Sequence, residues 1–224
     1  MLYLIILALV SAILGIGSIF VPKLKLVFRL ILLIGAVFLS YSLWESIAKP
    51  IRFETEKEKR YDKVIKRLKY IRTSQIAFKS VNGIYCANFD SLVNFIKTDS
   101  FPAVKAIGNV PDSLTEKKAL EMGLIKRDTI MIGVMDSIFK NINFSIDSLA
   151  YVPFSQSIKF KLDTSEVITG SKLKVKVFEA KVSNFDILSG LDRQAIVNLN
   201  DGLKYAGLRV GSLEEANNNA GNWE

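Results

Sequence analysis

The side chains that most often carry out chemistry are nearly missing from this sequence. Among its 224 residues there is no histidine and a single cysteine, Cys86. A Ser-His or Cys-His catalytic pair, an imidazole metal ligand and an intramolecular disulfide are therefore excluded. Cys86 is predicted to be a small core residue, because no histidine can activate its thiol.

Carboxylates are the remaining candidates for acid–base chemistry. Asp147, Asp163, Asp186 and Asp192 are scattered, and no spacing brings two of them together. Surface solvation or turn capping is the expected role for each. The glycine motifs of phosphate-binding loops and of hydrolase elbows are also missing. We predict no catalytic residue, no metal and no cofactor; a membrane-anchored enzyme using carboxylates would need a deep acidic pocket.

Basic side chains concentrate in one stretch of the sequence. Residues 51–79 contain ten Lys or Arg against four Asp or Glu. Such a stretch can bind anionic lipid headgroups or an acidic protein, and it can equally be the solvated face of a helix. Nucleic acid is not predicted as a partner, since no motif of aromatic and basic residues accompanies the charges. The candidate lipid-binding or partner-binding residues are Arg60, Lys63, Lys66, Arg67, Lys69 and Arg72.

Two apolar runs near the N-terminus predict a transmembrane helical hairpin over residues 1–48. Residues 2–21 are uncharged, and residues 26–44 contain one charge, Arg29, near their start. Each run is close to the ~20 residues that cross a bilayer as a helix. A cleaved signal peptide is the alternative for the first run, although it lacks the basic residues with which a signal peptide begins.

Three basic residues, Lys23, Lys25 and Arg29, are expected to determine the topology. They lie in or beside the short connection between the two runs, and the N-terminus carries no basic side chain. By the positive-inside rule, the connection faces the cytoplasm and the C-terminal part of the chain is periplasmic. Basic residues after the second run, such as Lys49 and Arg52, favour the opposite orientation.

The rest of the sequence predicts an α+β fold, with a long amphipathic stalk helix followed by a small head. Residues 49–82 form the basic stalk, with apolar residues at steps of three and four and a stop at Asn82-Gly83. Residues 83–224 form the head, which combines short helices with an antiparallel sheet. Short helices are predicted over 88–96 and 113–122, and strands over 128–134, 143–146, 150–154, 157–162 and 172–177. The lysines of the last strand are expected on the solvated face of the sheet or along its edge, and the polar tail 217–224 is expected to be loose.

The order of features over residues 26–96 is similar to the start of type IV pilins and pseudopilins. A membrane helix continues into an amphipathic helix, followed by Asn82-Gly83-Ile84-Tyr85 and a short helix. The resemblance implies a long first helix and a small sheet. Arg29 stands where an acidic residue is expected, and a second apolar run precedes the membrane helix, so assembly into a pilus stays open. Motifs at 107–116 and 127–129 also resemble envelope proteins of Bacteroidota, which implies a bacterial inner membrane.

The leading hypothesis is a non-enzymatic, membrane-anchored component of a bacterial envelope assembly, such as a secretion, translocation or pilus-like machine. Its periplasmic head would contact other envelope proteins, its hairpin would contact membrane lipids, and an oligomer is compatible with this role. The alternative is a cytoplasmic-facing membrane adaptor that binds anionic lipid or an acidic protein through the basic stalk. The side of the membrane on which the C-terminus lies separates the two hypotheses.

Overall fold

The computed structural model describes residues 10, 12–13, 25–108, 115–123, 125–140, 142, 144–155 and 157–224. The chain divides into two compact units, Met1–Glu56 and Lys57–Glu224. Its fold is α+β, as predicted, with a long helix near the N-terminus and a unit that contains short helices and antiparallel sheets. The first predicted membrane helix, at 2–21, lies outside the described residues except for positions 10, 12 and 13.

Helix α1, Lys25–Asn82, begins in the first unit. Of the helices that the structure describes, it is the one long and apolar enough to cross a membrane. Large apolar side chains are exposed around its first part, including Leu33, Val37 and Trp44, which are 61%, 63% and 70% exposed. A helix that is apolar on all sides is typical of one surrounded by lipid tails or by other apolar helices.

From residue 57 onward, α1 is the central helix of the second unit. Val64, Leu68 and Ile71 are fully buried, in agreement with the apolar stripe predicted at steps of three and four. The helix stops where the sequence predicts. Gly83 has a φ of 70°, and its N–H donates to the carbonyl of Lys79 at 2.8 Å. Glycine adopts this left-handed conformation without a steric penalty, so it ends the helix.

Two strands of the second unit form a ribbon. Strand β1, Ser100–Gly108, pairs antiparallel with β2, Ile125–Gly133. Strand β2 overlaps the strand predicted over 128–134, whereas β1 has no counterpart in the prediction. Pro102 weakens the strand pattern of β1, but proline is tolerated because each strand of this ribbon has one edge unpaired within the described residues.

Short helices connect these elements. They are α2, Phe89–Thr98; α3, Glu116–Glu121; α4, Val134–Ile138; α5, Asn184–Ile187; α6, Arg193–Asn200; and a 3-10 turn, Ile146–Ser148. The sequence predicts Asn88 or Asp90 as the cap of α2. The structure has Asn88, whose side chain accepts a hydrogen bond from the N–H of Asp90 at 2.8 Å. Helix α3 stops before Gly123, also as predicted, and the φ of this glycine is 72°. The strand predicted over 143–146 is wrong where the structure describes that segment, because the chain enters the 3-10 turn there.

Three strands form the main sheet in the order β3-β4-β5. Their bounds are Lys161–Ile168 for β3, Lys174–Ser183 for β4 and Gly207–Gly211 for β5. Because β4 is the central strand, its lysines do not protect an edge. The prediction of a solvated face is also wrong for the face that carries Lys176, because this face is buried further along β4. Lys176 itself is half-buried, and its Nζ donates to the carbonyl of Gly83 at 3.3 Å. Phe178, two positions further on, shares this face and is fully buried, with its ring 4.8 Å from the ring of Tyr85.

Strand β4 lies along α1 in the opposite direction. Near the start of β4, the Nζ of Lys79 donates to the carbonyl of Lys176 at 3.4 Å. Just after its end, the hydroxyl of Tyr61 donates to Oδ1 of Asn184 at 2.5 Å. The buried face of the sheet therefore covers the buried stripe of α1, and this contact forms the core of the second unit.

The tail 217–224 is paired with β5, so the prediction of a loose tail is wrong. The N–H of Gly211 donates to the carbonyl of Ala220 at 3.0 Å, and the N–H of Asn222 donates to the carbonyl of Arg209 at 3.1 Å. These bonds satisfy backbone groups of β5 that the sheet leaves unpaired.

A buried glutamine fixes the segment that follows α1. The Nε2 of Gln75 donates to the carbonyl of Cys86 at 2.6 Å, and its Oε1 accepts from the N–H of Cys86 at 2.9 Å. Gln75 is fully buried, and Cys86 is 6% exposed. The side-chain amide of Gln75 thus forms hydrogen bonds with both backbone groups of Cys86, the same two groups that a neighbouring β-strand would pair with.

We expect Gln75→Leu to lower the free energy of unfolding by about 2 kcal/mol, because the N–H and carbonyl of Cys86 would stay buried without partners. Urea unfolding of the full chain in detergent measures this loss. Ser74→Ala is the matched control, since Ser74 is equally buried but donates one hydrogen bond, to the carbonyl of Tyr70 at 2.8 Å. Equal losses in the two variants would contradict the role of Gln75.

Candidate functional site: a basic cleft and an apolar groove beside the long helix

Two of the arginines predicted to bind a partner are held by the protein itself. The Nη1 of Arg60 donates to the carbonyls of Ile187 at 3.2 Å and Ser189 at 2.9 Å. The guanidinium of Arg67 donates to the carbonyl of Ser148 and lies 3.7 Å from the centre of the Phe144 ring. These contacts join α1 to segments far along the sequence, so both arginines stabilise the fold of the second unit.

The third arginine, Arg72, holds the C-terminal tail. Its Nη1 lies 2.7 Å from Oε1 of Glu224 and 3.4 Å from the carbonyl of Asn219. The hydrogen bond from Arg72 lowers the pKa of the Glu224 carboxyl. This pair therefore stabilises the fold above the ordinary pKa of a glutamate and loses that contribution as the pH falls through the lowered value.

The three lysines of the predicted site, Lys63, Lys66 and Lys69, are all exposed. The Nζ of Lys63 lies 4.7 Å from the centre of the Phe154 ring. Within the part of the chain that the structure describes, none of the three forms an ion pair. Their charges are therefore available to an anionic ligand, in contrast to the charge of Arg72, which is paired with the carboxylate of Glu224.

A cleft of about 660 Å³ opens beside these lysines, and we name it the basic cleft. It is lined by Lys63, Lys66, Arg67, Tyr70, Phe144, Pro153 and Phe154. Tyr70 is held in place by Phe144, at 5.6 Å between ring centres, and by Phe139, at 5.3 Å. Cationic side chains and aromatic rings thus share one wall, an arrangement suited to an anion that carries apolar groups.

Phe154 is unusual in both its backbone and its exposure. Its φ is 69°, in the left-handed region that a bulky residue rarely adopts, and its side chain is 49% exposed. The Arg60 guanidinium lies 5.4 Å from the centre of its ring, on which Lys63 also lies. A strained backbone that presents an aromatic ring at the mouth of a cleft is a common feature of binding sites.

A second depression of about 720 Å³, the apolar groove, adjoins the basic cleft. It is lined by Lys66, Lys69, Tyr70, Thr73, Ile76, Ala77, Ser80, Phe101, Pro102, Ser137 and Ile138. Lys66 and Tyr70 belong to both depressions, so the two are continuous along α1. Ile76 is 49% exposed in this groove.

The charge of Arg67 survives its burial. Desolvation lowers the pKa of Arg67 to about 10. The guanidinium therefore stays protonated at neutral pH and contributes a positive charge to the basic cleft. Together with the lysines, it makes the cleft a site for anions, and no carboxylate lines the described part of it.

The residues predicted to determine topology lie at the start of α1 or before it. Lys25 is the first residue of α1, and Arg29 is exposed within its first part. Lys23 lies outside the described residues.

Carboxylates do not assemble into a metal site in the described part of the chain, where no group of three or more His, Cys, Asp or Glu side chains could hold an ion. One charged network does form, on the face of the main sheet away from α1. Glu179 is 4% exposed and lies 2.5 Å from the Nζ of Lys181 and 3.2 Å from the Nη1 of Arg209. Because both cations pair with the buried carboxylate, we interpret the network as structural.

Sequence reasoning found the cations of the site and missed its aromatic walls. Phe144 contacts Arg67 and Phe154 contacts Lys63, although each pair is far apart in the sequence. The segment 150–154 is predicted to be a strand, but the structure forms only an isolated bridge there, at Tyr151, and the exposed ring of Phe154 has no separate signal in the sequence. No family model matches the chain, and no curated protein or solved structure is significantly similar to it.

Proposed function

We propose that this chain is a non-enzymatic, membrane-anchored component of a bacterial envelope assembly, with the unit Lys57–Glu224 as its interaction domain. The observation that carries the proposal is the presence, in one chain, of an exposed apolar helix of membrane-spanning length and of an open cleft rich in cations and aromatic rings. The apolar helix is suited to anchoring the chain in a membrane. The cleft is suited to binding a partner rather than to catalysing a reaction.

The anchor in this proposal is a hairpin of two helices, formed by residues 2–21 and 26–44 in the inner membrane. The positive charges of Lys23, Lys25 and Arg29 keep the connection in the cytoplasm, so the interaction domain is periplasmic. The similarity of residues 26–96 to type IV pilins and pseudopilins supports a place in a secretion, translocation or pilus-like machine.

The chemistry of the chain agrees with a role in binding. The sequence contains no histidine, and its single thiol, Cys86, is buried with its Sγ donating to the carbonyl of Asn88 at 3.1 Å. A thiol in this position is a core residue, because a nucleophile needs an accessible thiolate and a neighbouring base.

The first test is the side of the membrane on which the C-terminus lies. Alkaline phosphatase and green fluorescent protein are each fused after Glu224 in a bacterial host. We expect active phosphatase and a dark fluorescent fusion, since phosphatase folds outside the cytoplasm. The reverse pattern would overturn the periplasmic assignment. Recovery of a clean monomer after cross-linking in intact membranes would overturn the assembly role.

A second function is favoured by the exposed lysines Lys63, Lys66 and Lys69. If the interaction domain faces the cytoplasm, the chain is a membrane adaptor that binds anionic lipid or an acidic protein through this part of α1. The phosphatase and fluorescence fusions distinguish the two functions, because they require opposite sides of the membrane.

A further inference from the structure

We infer that the basic cleft and the apolar groove together bind an extended peptide segment of a partner protein, with acidic residues at one end and aliphatic residues at the other. The inference rests on the proposed function, in which Lys57–Glu224 is an interaction domain. It adds to that function the site and the chemical class of the partner.

Charge complementarity favours an anionic segment of the ligand at the end of the site that contains the basic cleft. Lys63, Lys66 and Lys69 are exposed, form no ion pair with the described residues, and follow one another at intervals of three along α1. Residues three apart on a helix are neighbours on its surface, and Lys63 and Lys66 line the basic cleft while Lys66 and Lys69 line the adjoining groove. Two or three carboxylates in succession match such a row better than a single anion does.

The apolar groove selects the other end of the ligand. Ile76 is 49% exposed and lines the depression together with Pro102 and Ile138. Aliphatic side chains that cover these residues would remove apolar surface from water, which stabilises a complex by about 25 cal/mol per Å² before the costs of association.

The length and lining of the site favour a peptide over a lipid. From Lys63 to Ser80 the site extends about 25 Å along α1, at about 1.5 Å per residue, which matches an extended segment of about eight residues. Hydroxyl groups of Thr73, Ser80 and Ser137 line the apolar groove. A peptide carries polar groups along its whole length and can pair with these hydroxyls, whereas an acyl chain cannot.

The probe for a test is a fluorescein-labelled peptide of about nine residues, with glutamates in its first half and leucine or valine in its second. Its binding to the full chain in phosphatidylcholine nanodiscs is measured by fluorescence anisotropy. A peptide of the same composition in scrambled order is the control for sequence order. We expect the ordered peptide to bind at least tenfold more tightly, and its affinity to fall with added salt.

The charge variant is Lys63→Gln/Lys66→Gln/Lys69→Gln. Its matched control is Lys161→Gln/Lys174→Gln/Lys204→Gln, which removes the same charge from exposed lysines that line neither depression. We expect the first variant to weaken the ordered peptide at least tenfold and the control to change its affinity less than twofold. Equal losses would show attraction by net charge alone and would overturn the site.

Two further variants test the walls without changing charge. Phe154→Gly suits the left-handed backbone, so the fold should persist while the aromatic wall is lost. Ile76→Ser removes the exposed aliphatic group of the apolar groove. We expect both to weaken the ordered peptide by at least threefold, with the circular dichroism spectrum unchanged. Unchanged affinity in both folded variants would overturn the inference.

Phosphatidylglycerol separates a lipid site from a peptide site. Short-chain phosphatidylglycerol is added below its micellar concentration. We expect the ordered peptide to stay bound. Displacement of the peptide by this lipid, or no binding of the ordered peptide at all, would overturn the peptide assignment. If the lysine variant still cross-links to envelope proteins as the unmodified chain does, the proposed function stands and this inference fails.

Discussion

Phe178→Ala should lower the free energy of unfolding by about 3–5 kcal/mol, the usual cost of deleting a fully buried phenylalanine. Phe178 has no exposed surface and packs against the ring of Tyr85 at the contact between β4 and α1. A domain is stable by about 5–15 kcal/mol in total, so this single change would remove a large part of the stability. Urea unfolding of the full chain in detergent, followed by circular dichroism, measures the effect.

The matched control is Phe185→Ala, which makes the same chemical change at a side chain that is 47% exposed. We expect a loss of about 1 kcal/mol or less there, because less apolar surface returns to water. A similar loss at both positions would show that the contact between the main sheet and α1 is not the core of the unit.

The second large effect is expected from Glu179→Gln, which removes the charge at the centre of the buried network. Breaking a buried ion pair from one side costs about 3–5 kcal/mol. We expect the lower end, about 3 kcal/mol, because the side chains of Lys181 and Arg209 are 31% and 21% exposed and can reach water. Glu166→Gln is the control, since it makes the same chemical change at an exposed glutamate of β3, opposite Lys176 and away from Glu179 in the register of the sheet. An equal loss in both variants would contradict the network.

The same network predicts how stability changes at alkaline pH. The hydrogen bond that Lys181 donates to Glu179 raises the pKa of Lys181 above its ordinary 10.5, and burial raises the pKa of Tyr205 above its ordinary 10.0. Both contributions are present below these ordinary values and are lost as the pH rises through the raised ones. The free energy of unfolding should therefore fall above about pH 10. In Glu179→Gln the fall should be less steep, since Lys181 no longer gains its partner.

The helix and its ends could be predicted from the sequence because their causes are local. The apolar spacing of Val64, Leu68 and Ile71, the glycine at position 83 and the side-chain cap at Asn88 each act within a few residues. The hairpin of β3 and β4 is equally local. It turns at Thr169, whose N–H donates to the carbonyl of Leu173 at 2.9 Å.

The roles of the basic residues could not be predicted, because their causes lie far along the chain. Arg60, Arg67 and Arg72 carry the same charge as the lysines between them, and sequence reasoning gave all of them one role. Their partners are 127, 81 and 152 positions away. The lysines of β4 were misassigned for a related reason. The alternating sequence of β4 predicts a strand with two different faces. It does not indicate that β4 lies between two other strands, in the centre of the sheet.

The contact between Arg72 and Glu224 has a consequence for how the protein is made. The two residues are 152 positions apart, so the ribosome needs roughly 8–30 s to reach the second after the first, at about 5–20 residues per second. During this time the ion pair that ties the C-terminal tail to α1 cannot form. The unit Met1–Glu56 is therefore synthesised well before the C-terminal tail can attach to α1.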